Sequence, residues 1–118
     1  MKYCLFLIPG LFLSQPVLAA CGSHNVYDDI ACYDKQLPKD KQKLNRLYDK
    51  LYKSYDTEGK AALEASQKTW LNYKVKQCEY VQYQARYVLG GGMALVMRVC
   101  ESNLVNARFK ELKEADTD

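Results

Sequence analysis

The sequence predicts an all-α fold, a small helical bundle or helical hairpin stapled by disulfides and preceded by a cleaved signal peptide. Three observations carry this expectation. Apolar residues recur at spacings of three and four. No stretch alternates apolar and polar residues as a strand would. Five Cys occur in only 118 residues, a density suited to an oxidising compartment. Lys and Arg total 17 against 14 Asp and Glu, a net charge of +3, with 48% apolar and 26% charged residues. That composition excludes a disordered chain, the length fits one domain, and the slight cationic excess is too small for a nucleic-acid binder.

Residues 1–20 read as the signal peptide. Lys2 gives a positive start, residues 3–13 form an apolar run of about eleven, and Val17, Leu18, Ala19 and Ala20 supply a small-residue exit, with cleavage after Ala19 or Ala20. A membrane span needs roughly twenty apolar residues, so a retained anchor helix is the poorer reading. The working domain is then residues 21–118, with a net charge of +2 once Lys2 is gone. Leu18, Ala19, Ala20 and Cys21 also resemble a lipobox, which would place a lipid on Cys21 and bring the protein to a membrane. Cys4 leaves with the signal, however, and the remaining Cys21, Cys32, Cys78 and Cys100 are an even set that lipidation would leave odd. The expected location is therefore periplasmic or secreted, with lipid anchoring through Cys21 as the alternative.

In the domain itself, residues 25–36 read as a short helix carrying Cys32, and Pro38 is placed to open the next one. Leu44, Leu47, Tyr48, Leu51, Tyr52 and Tyr55 then fall on one helical face. Asp56 or Thr57 can cap the following helix, with Glu58 in its first turn. Its expected buried face is Leu63, Ser66, Trp70, Tyr73, Gln77 and Tyr80 or Val81, continuing towards Arg86. Gly90, Gly91 and Gly92 stop it, since glycine is costly inside a helix and cheap in a left-handed turn. A last helix from about Met93 presents Met97 or Val96, Cys100, Leu104 and Leu112, before an acidic tail from Glu114 that is expected to fray.

Four Cys permit three pairings. Cys78 with Cys100 would face each other across a glycine-turned helix hairpin, and Cys21 with Cys32 would tie the new N-terminus to the first helix. This pairing joins sequence neighbours and crosses no chain. Closing residues 78–100 contributes about 3 kcal/mol on the chain-entropy estimate.

Catalytic chemistry is not legible, and no cofactor is implied. His24 is the only histidine and reads as a solvated side chain, and no C-x-x-C spacing suits zinc. Adjacent Asp28 and Asp29 point in different directions on a helix, a poor acid–base pair. Lys74 and Lys76 interleaved with Tyr73 and Tyr80 could suggest base stacking, but Tyr48, Tyr52, Tyr55 and Tyr73 fall on expected core faces and a charge of +2 gives little pull on phosphates. Asn45, Gln67 and Arg108 read as polar groups hydrogen-bonded between helices, and Trp70 as a core anchor.

Taken together, Cys21 and Cys32, Leu44, Asn45 and Tyr48, the run from Leu63 through Ser66, Gln67, Lys68, Trp70, Leu71 and Tyr73 to Cys78, the three glycines, and Cys100, Leu104, Arg108 and Leu112 resemble the lysozyme-inhibitor LprI-like N-terminal domain family of exported bacterial proteins. The most specific element is the spacing Gln67, Trp70, Tyr73, Cys78 followed by glycines and a second Cys. The sequence departs from the family at Lys74 and Val75, where Arg followed by Asp is usual. The resemblance implies an exported helical domain with two disulfides that binds a protein, a lysozyme-like muramidase, and blocks it without catalysis. The alternative is a structural or envelope-stress domain that binds another envelope component. For an inhibitor, the turn formed by Val88, Leu89, Gly90, Gly91, Gly92 and Met93 is the expected binding element, because its glycines let backbone approach a cleft closely. Strongly basic animal lysozymes would be repelled by a cationic domain, so a bacterial muramidase is at least as suitable a target.

Overall fold

The computed structural model describes residues 21, 22, 25–88 and 90–117. They form three helices, α1 (Val26–Ser54), α2 (Thr57–Gln84) and α3 (Gly92–Ala115), and among the described residues there is no strand. Residues 1–20, the expected signal peptide, and His24 lie outside the described residues.

α1 is one helix rather than the expected two, with Pro38 inside it. The proline removes the hydrogen bond to the carbonyl of residue 34, a cost of about 3 kcal/mol in a helix interior. Both Asp34 and Pro38 are exposed, so water can reach the freed carbonyl. Packing offsets the rest: Leu37, Leu44 and Leu51 recur every seven residues and, with Leu47, are buried on both sides of the proline. The start of α1 is fixed by Asn25, whose side-chain oxygen accepts from the Asp28 backbone N–H at 2.9 Å.

Only Tyr55 and Asp56 separate α1 from α2. Asp56 is the cap, its carboxylate accepting from the Gly59 N–H at 2.8 Å. α2 runs 28 residues and ends at Gln84, two residues short of the expected limit. Residues 85–91 reverse the chain, with Gly90 at φ +68° in the left-handed region. A side chain on Gly91 would reach within 3.0 Å of Val26 Cγ1, so the turn backbone rests directly on the first turn of α1.

Cross-helix pairs define the directions. Gln67 with Arg108 and Lys74 with Glu101 run α2 antiparallel to α3. Arg98 with Asp34 and Lys50 with Asp116 run α1 parallel to α3. The result is an up-down-up bundle in which α3 meets both other helices while α1 and α2 touch little. The core joins the α1 leucines to Leu63, Val105 and Leu112, with Tyr48, Tyr52, Tyr55, Trp70 and Phe109 packed around it.

Other expectations also need correction. Ser66, Tyr73 and Tyr80 are exposed, because the inward stripe of α2 is Leu63, Gln67, Trp70, Lys74 and Cys78, one position round the helix. On α3 the buried residues are Ser102, Val105, Arg108 and Leu112, whereas the residues from Met93 to Leu104 on the expected stripe are only half-buried. The acidic tail does not fray at Asp116, whose carboxylate takes the ammonium groups of Lys50 at 2.9 Å and Lys113 at 3.1 Å.

Candidate functional site

Both expected disulfides are present. Cys78 and Cys100, with Cα atoms 5.7 Å apart, join the two arms of the hairpin one side of the glycine turn. Cys21 and Cys32, at 5.5 Å, tie the segment before α1 back onto its second turn. The Tyr33 hydroxyl donates to the Cys21 carbonyl at 3.2 Å and reinforces that tie.

Below the disulfide, polar groups hold the helices in register. Arg108 is buried and donates through Nε to Gln67 Oε1 at 3.0 Å, through Nη2 to Ser66 Oγ at 2.9 Å and through Nη1 to Glu111 at 3.1 Å. Its cation is thus satisfied by a fixed fork of partners, as a buried guanidinium requires. Gln67 and Arg108 therefore do link helices, as expected of polar residues beside a core, but Asn45 is exposed at a groove rim. Glu101 receives both Lys41 from α1 and Lys74 from α2, the latter at 3.2 Å. Burial opposes ionisation of Glu101, but the two ammonium groups outweigh it and hold the carboxyl below its usual range. Lys74 also lies 5.5 Å from the Trp70 ring centroid. Lys74 thus places a cation at the junction of all three helices.

The expected binding turn sits at the end of the bundle where α1 starts and α2 meets α3. Val88 and Gly90 are exposed there, Gly91, Gly92 and Met93 are half-buried, and Leu89 lies outside the described residues. Around it stand side chains that periodicity did not single out. Tyr27 is 72% exposed, Tyr83 63% and Tyr87 79%. The Arg86 guanidinium lies over both the Tyr83 ring, at 4.1 Å, and the Tyr87 ring, at 4.8 Å, and donates to the Tyr87 hydroxyl at 3.2 Å. Exposed tyrosines with a stacked Arg are the composition of a protein-binding hot spot rather than of a catalytic centre. Among the described residues, no group of three or more His, Cys, Asp and Glu is placed to hold a metal ion, and no helix is long and apolar enough to cross a membrane.

A concavity of about 410 Å³ lies between α1 and α2. Leu44, Trp70 and Val105 form its apolar floor, with Asn45, Glu64 and Lys68 on its rim. Tyr48 lines it too, and partial burial, with Glu64 nearby, pushes its phenol above the ordinary value.

The structure thus defines a disulfide-bonded three-helix domain with an aromatic, arginine-bearing tip. The chain matches the family described as lysozyme inhibitor LprI over residues 21–112 and belongs to that family. The family is one of inhibitors rather than enzymes. Its members are exported, which the two disulfides fit. No curated protein and no solved structure gives a match.

Proposed function

We propose that this protein blocks a lysozyme-like muramidase by occupying or covering its cleft with the tip of the bundle, residues 83–93 together with Tyr27. The observation that carries this reading is the Tyr27, Tyr83, Arg86 and Tyr87 cluster around a left-handed glycine turn, in a chain of the lysozyme inhibitor LprI family. Tyrosine offers large contact area with few rotamers to freeze, and Arg86 is already stacked between two rings, so little order has to be imposed on binding. The Cys78–Cys100 bond joins the two helices that carry the turn.

The mature charge of +2 favours a bacterial muramidase over a strongly basic animal lysozyme. Pairing of Cys21 with Cys32 uses the sulfur that a lipid thioether would need, which supports a periplasmic or secreted domain over an anchored one. The test is clearing of a cell-wall suspension by several lysozyme classes, with oxidised protein in micromolar excess. Slowed clearing by at least one class is expected, with Tyr87→Ala and Arg86→Ala each raising the half-inhibiting concentration about tenfold or more. Undiminished clearing by every class overturns inhibition and leaves an envelope component as the partner, and clearing by the protein alone overturns the non-enzyme reading.

A further inference from the structure

The groove between α1 and α2 lies away from the tip and has no part in the inhibitory contact proposed there. Its volume of about 410 Å³ falls within the range of small-molecule sites, roughly 300–1,000 Å³. Its lining is mixed. Leu44, Trp70, Leu71 and Val105 supply apolar surface, while Asn45 and Tyr48 on α1 and Gln67 on α2 supply neutral polar groups. Among the described residues, the Asn45 amide and the Tyr48 hydroxyl meet no hydrogen-bond partner. Gln67 uses only its oxygen, which accepts from Arg108 Nε at 3.0 Å, so its NH2 is left to donate.

Charge is uneven along the groove. At one end Lys68 pairs with Glu64 at 3.0 Å, one cation to one anion. At the other end Lys41 and Lys74 both converge on the single carboxylate of Glu101. Asp34 and Glu79, which share the next groove with Lys74, cannot make up the difference, because Asp34 takes Arg98 and Glu79 takes Lys76. One positive charge is therefore in surplus where the three helices meet, with the Lys74 ammonium 5.5 Å from the centre of the Trp70 ring. Each ammonium carries three donors, and Glu101 does not exhaust them.

We propose that this groove binds a sugar acid, with its carboxylate at the Lys41 and Lys74 end and its ring over the apolar surface. A pyranose has C–H groups on its faces and hydroxyls round its edge, so apolar surface flanked by Asn45, Tyr48 and Gln67 suits both. The surplus ammonium selects the carboxylated sugar over the neutral one. A fatty acid also brings a carboxylate, but its methylenes would lie among amides, with Asn45 and Lys68 exposed above them, and little of the chain would leave water. A bare anion would leave the apolar surface and the three polar groups unmatched.

Trp70 is the only tryptophan in the chain, so its emission reports binding at this groove. Glucuronate is titrated into the exported, oxidised protein at constant ionic strength, with glucose as the counterpart that has a hydroxymethyl in place of the carboxylate. The expected result is a saturable change with glucuronate, half-complete below about 10 mM, and at least tenfold weaker binding of glucose. Lys41→Gln leaves Lys74 and Glu101 in balance and should bring glucuronate down to the affinity of glucose, with unchanged circular dichroism. Asn45→Ala, at an exposed position on the rim, should weaken both sugars alike. No saturable change up to about 100 mM glucuronate overturns the proposal. So does equal binding of the two sugars by wild type, a Lys41→Gln variant that still prefers glucuronate, or saturation by acetate or dodecanoate at least as tight as that by glucuronate.

Discussion

Removing the two disulfides one at a time should have very unequal effects, although loop length alone makes them nearly equal. The chain-entropy estimate gives about 3.4 kcal/mol for the 23-residue loop closed by Cys78 and Cys100 and about 2.8 kcal/mol for the 12-residue loop closed by Cys21 and Cys32. The estimate assumes that the native state is equally ordered with and without the bond. That holds for the hairpin, whose arms remain fixed by Arg108 with Gln67 and by Lys74 with Glu101. It fails for the N-terminal loop. Once the bond is gone, Cys21 keeps the hydrogen bond from the Tyr33 hydroxyl, and the few residues ahead of the Asn25 cap regain freedom in the folded state, at about 1 kcal/mol or more per residue. That regained freedom cancels most of the loss.

The Cys78→Ala/Cys100→Ala variant is therefore expected to lose about 3 kcal/mol, a fall in Tm of roughly 12–24 °C for a domain of this size. The Cys21→Ala/Cys32→Ala variant should lose under about 1 kcal/mol, a fall below roughly 8 °C. Alanine is chosen because Cys78 is buried and a serine would add an unpaired hydroxyl. Thermal melts followed at 222 nm measure both, and wild type melted with dithiothreitol should show approximately the sum. Equal falls for the two variants would refute the reasoning.

Further outcomes follow from the polar contacts and the turn. Gln67→Leu leaves the buried Arg108 Nε without its acceptor and should cost about 1–3 kcal/mol in urea unfolding, with the m-value unchanged. Glu101 has its carboxyl held low in the fold, so it adds stability that is fully present above the unfolded value near 4.3 and is lost as pH falls through the folded one. Glu101→Gln should accordingly be less stable than wild type at pH 7 by about 1 kcal/mol and converge with it as pH drops below 4. Gly90→Ala should cost about 1 kcal/mol from φ alone, since nothing lies within 4 Å of the added carbon, and Gly90→Asn should cost less. Tm measurements compare the two.

The sequence was most legible where one force acts alone. On α1 the 3–4 spacing of Leu44, Leu47 and Leu51 marks one face against a charged remainder, and that face is the core. The proline there was misleading because local propensity suggests a helix start, while leucines on both sides of Pro38 demand a continuous rod. On α2 and α3 apolar residues occupy more than one face, so periodicity could not say which meets a neighbour, and the choice fell one position off. The cysteine pairing was legible from chain order and the glycine turn. The tip was legible only as a turn: Tyr83 and Tyr87 belong to no stripe, and nothing short of the folded chain places Tyr27, from the start of α1, against Gly91 of that turn.

One feature of the covalent framework shapes how the molecule comes apart. The two sulfur-closed loops, 21–32 and 78–100, neither overlap nor enclose one another, so only the peptide chain through Tyr55 and Asp56 tethers α1 to the rest. Unfolding therefore leaves residues 78–100 closed as a covalent loop while α1, once its leucines leave the core, is held to the rest through Tyr55 and Asp56.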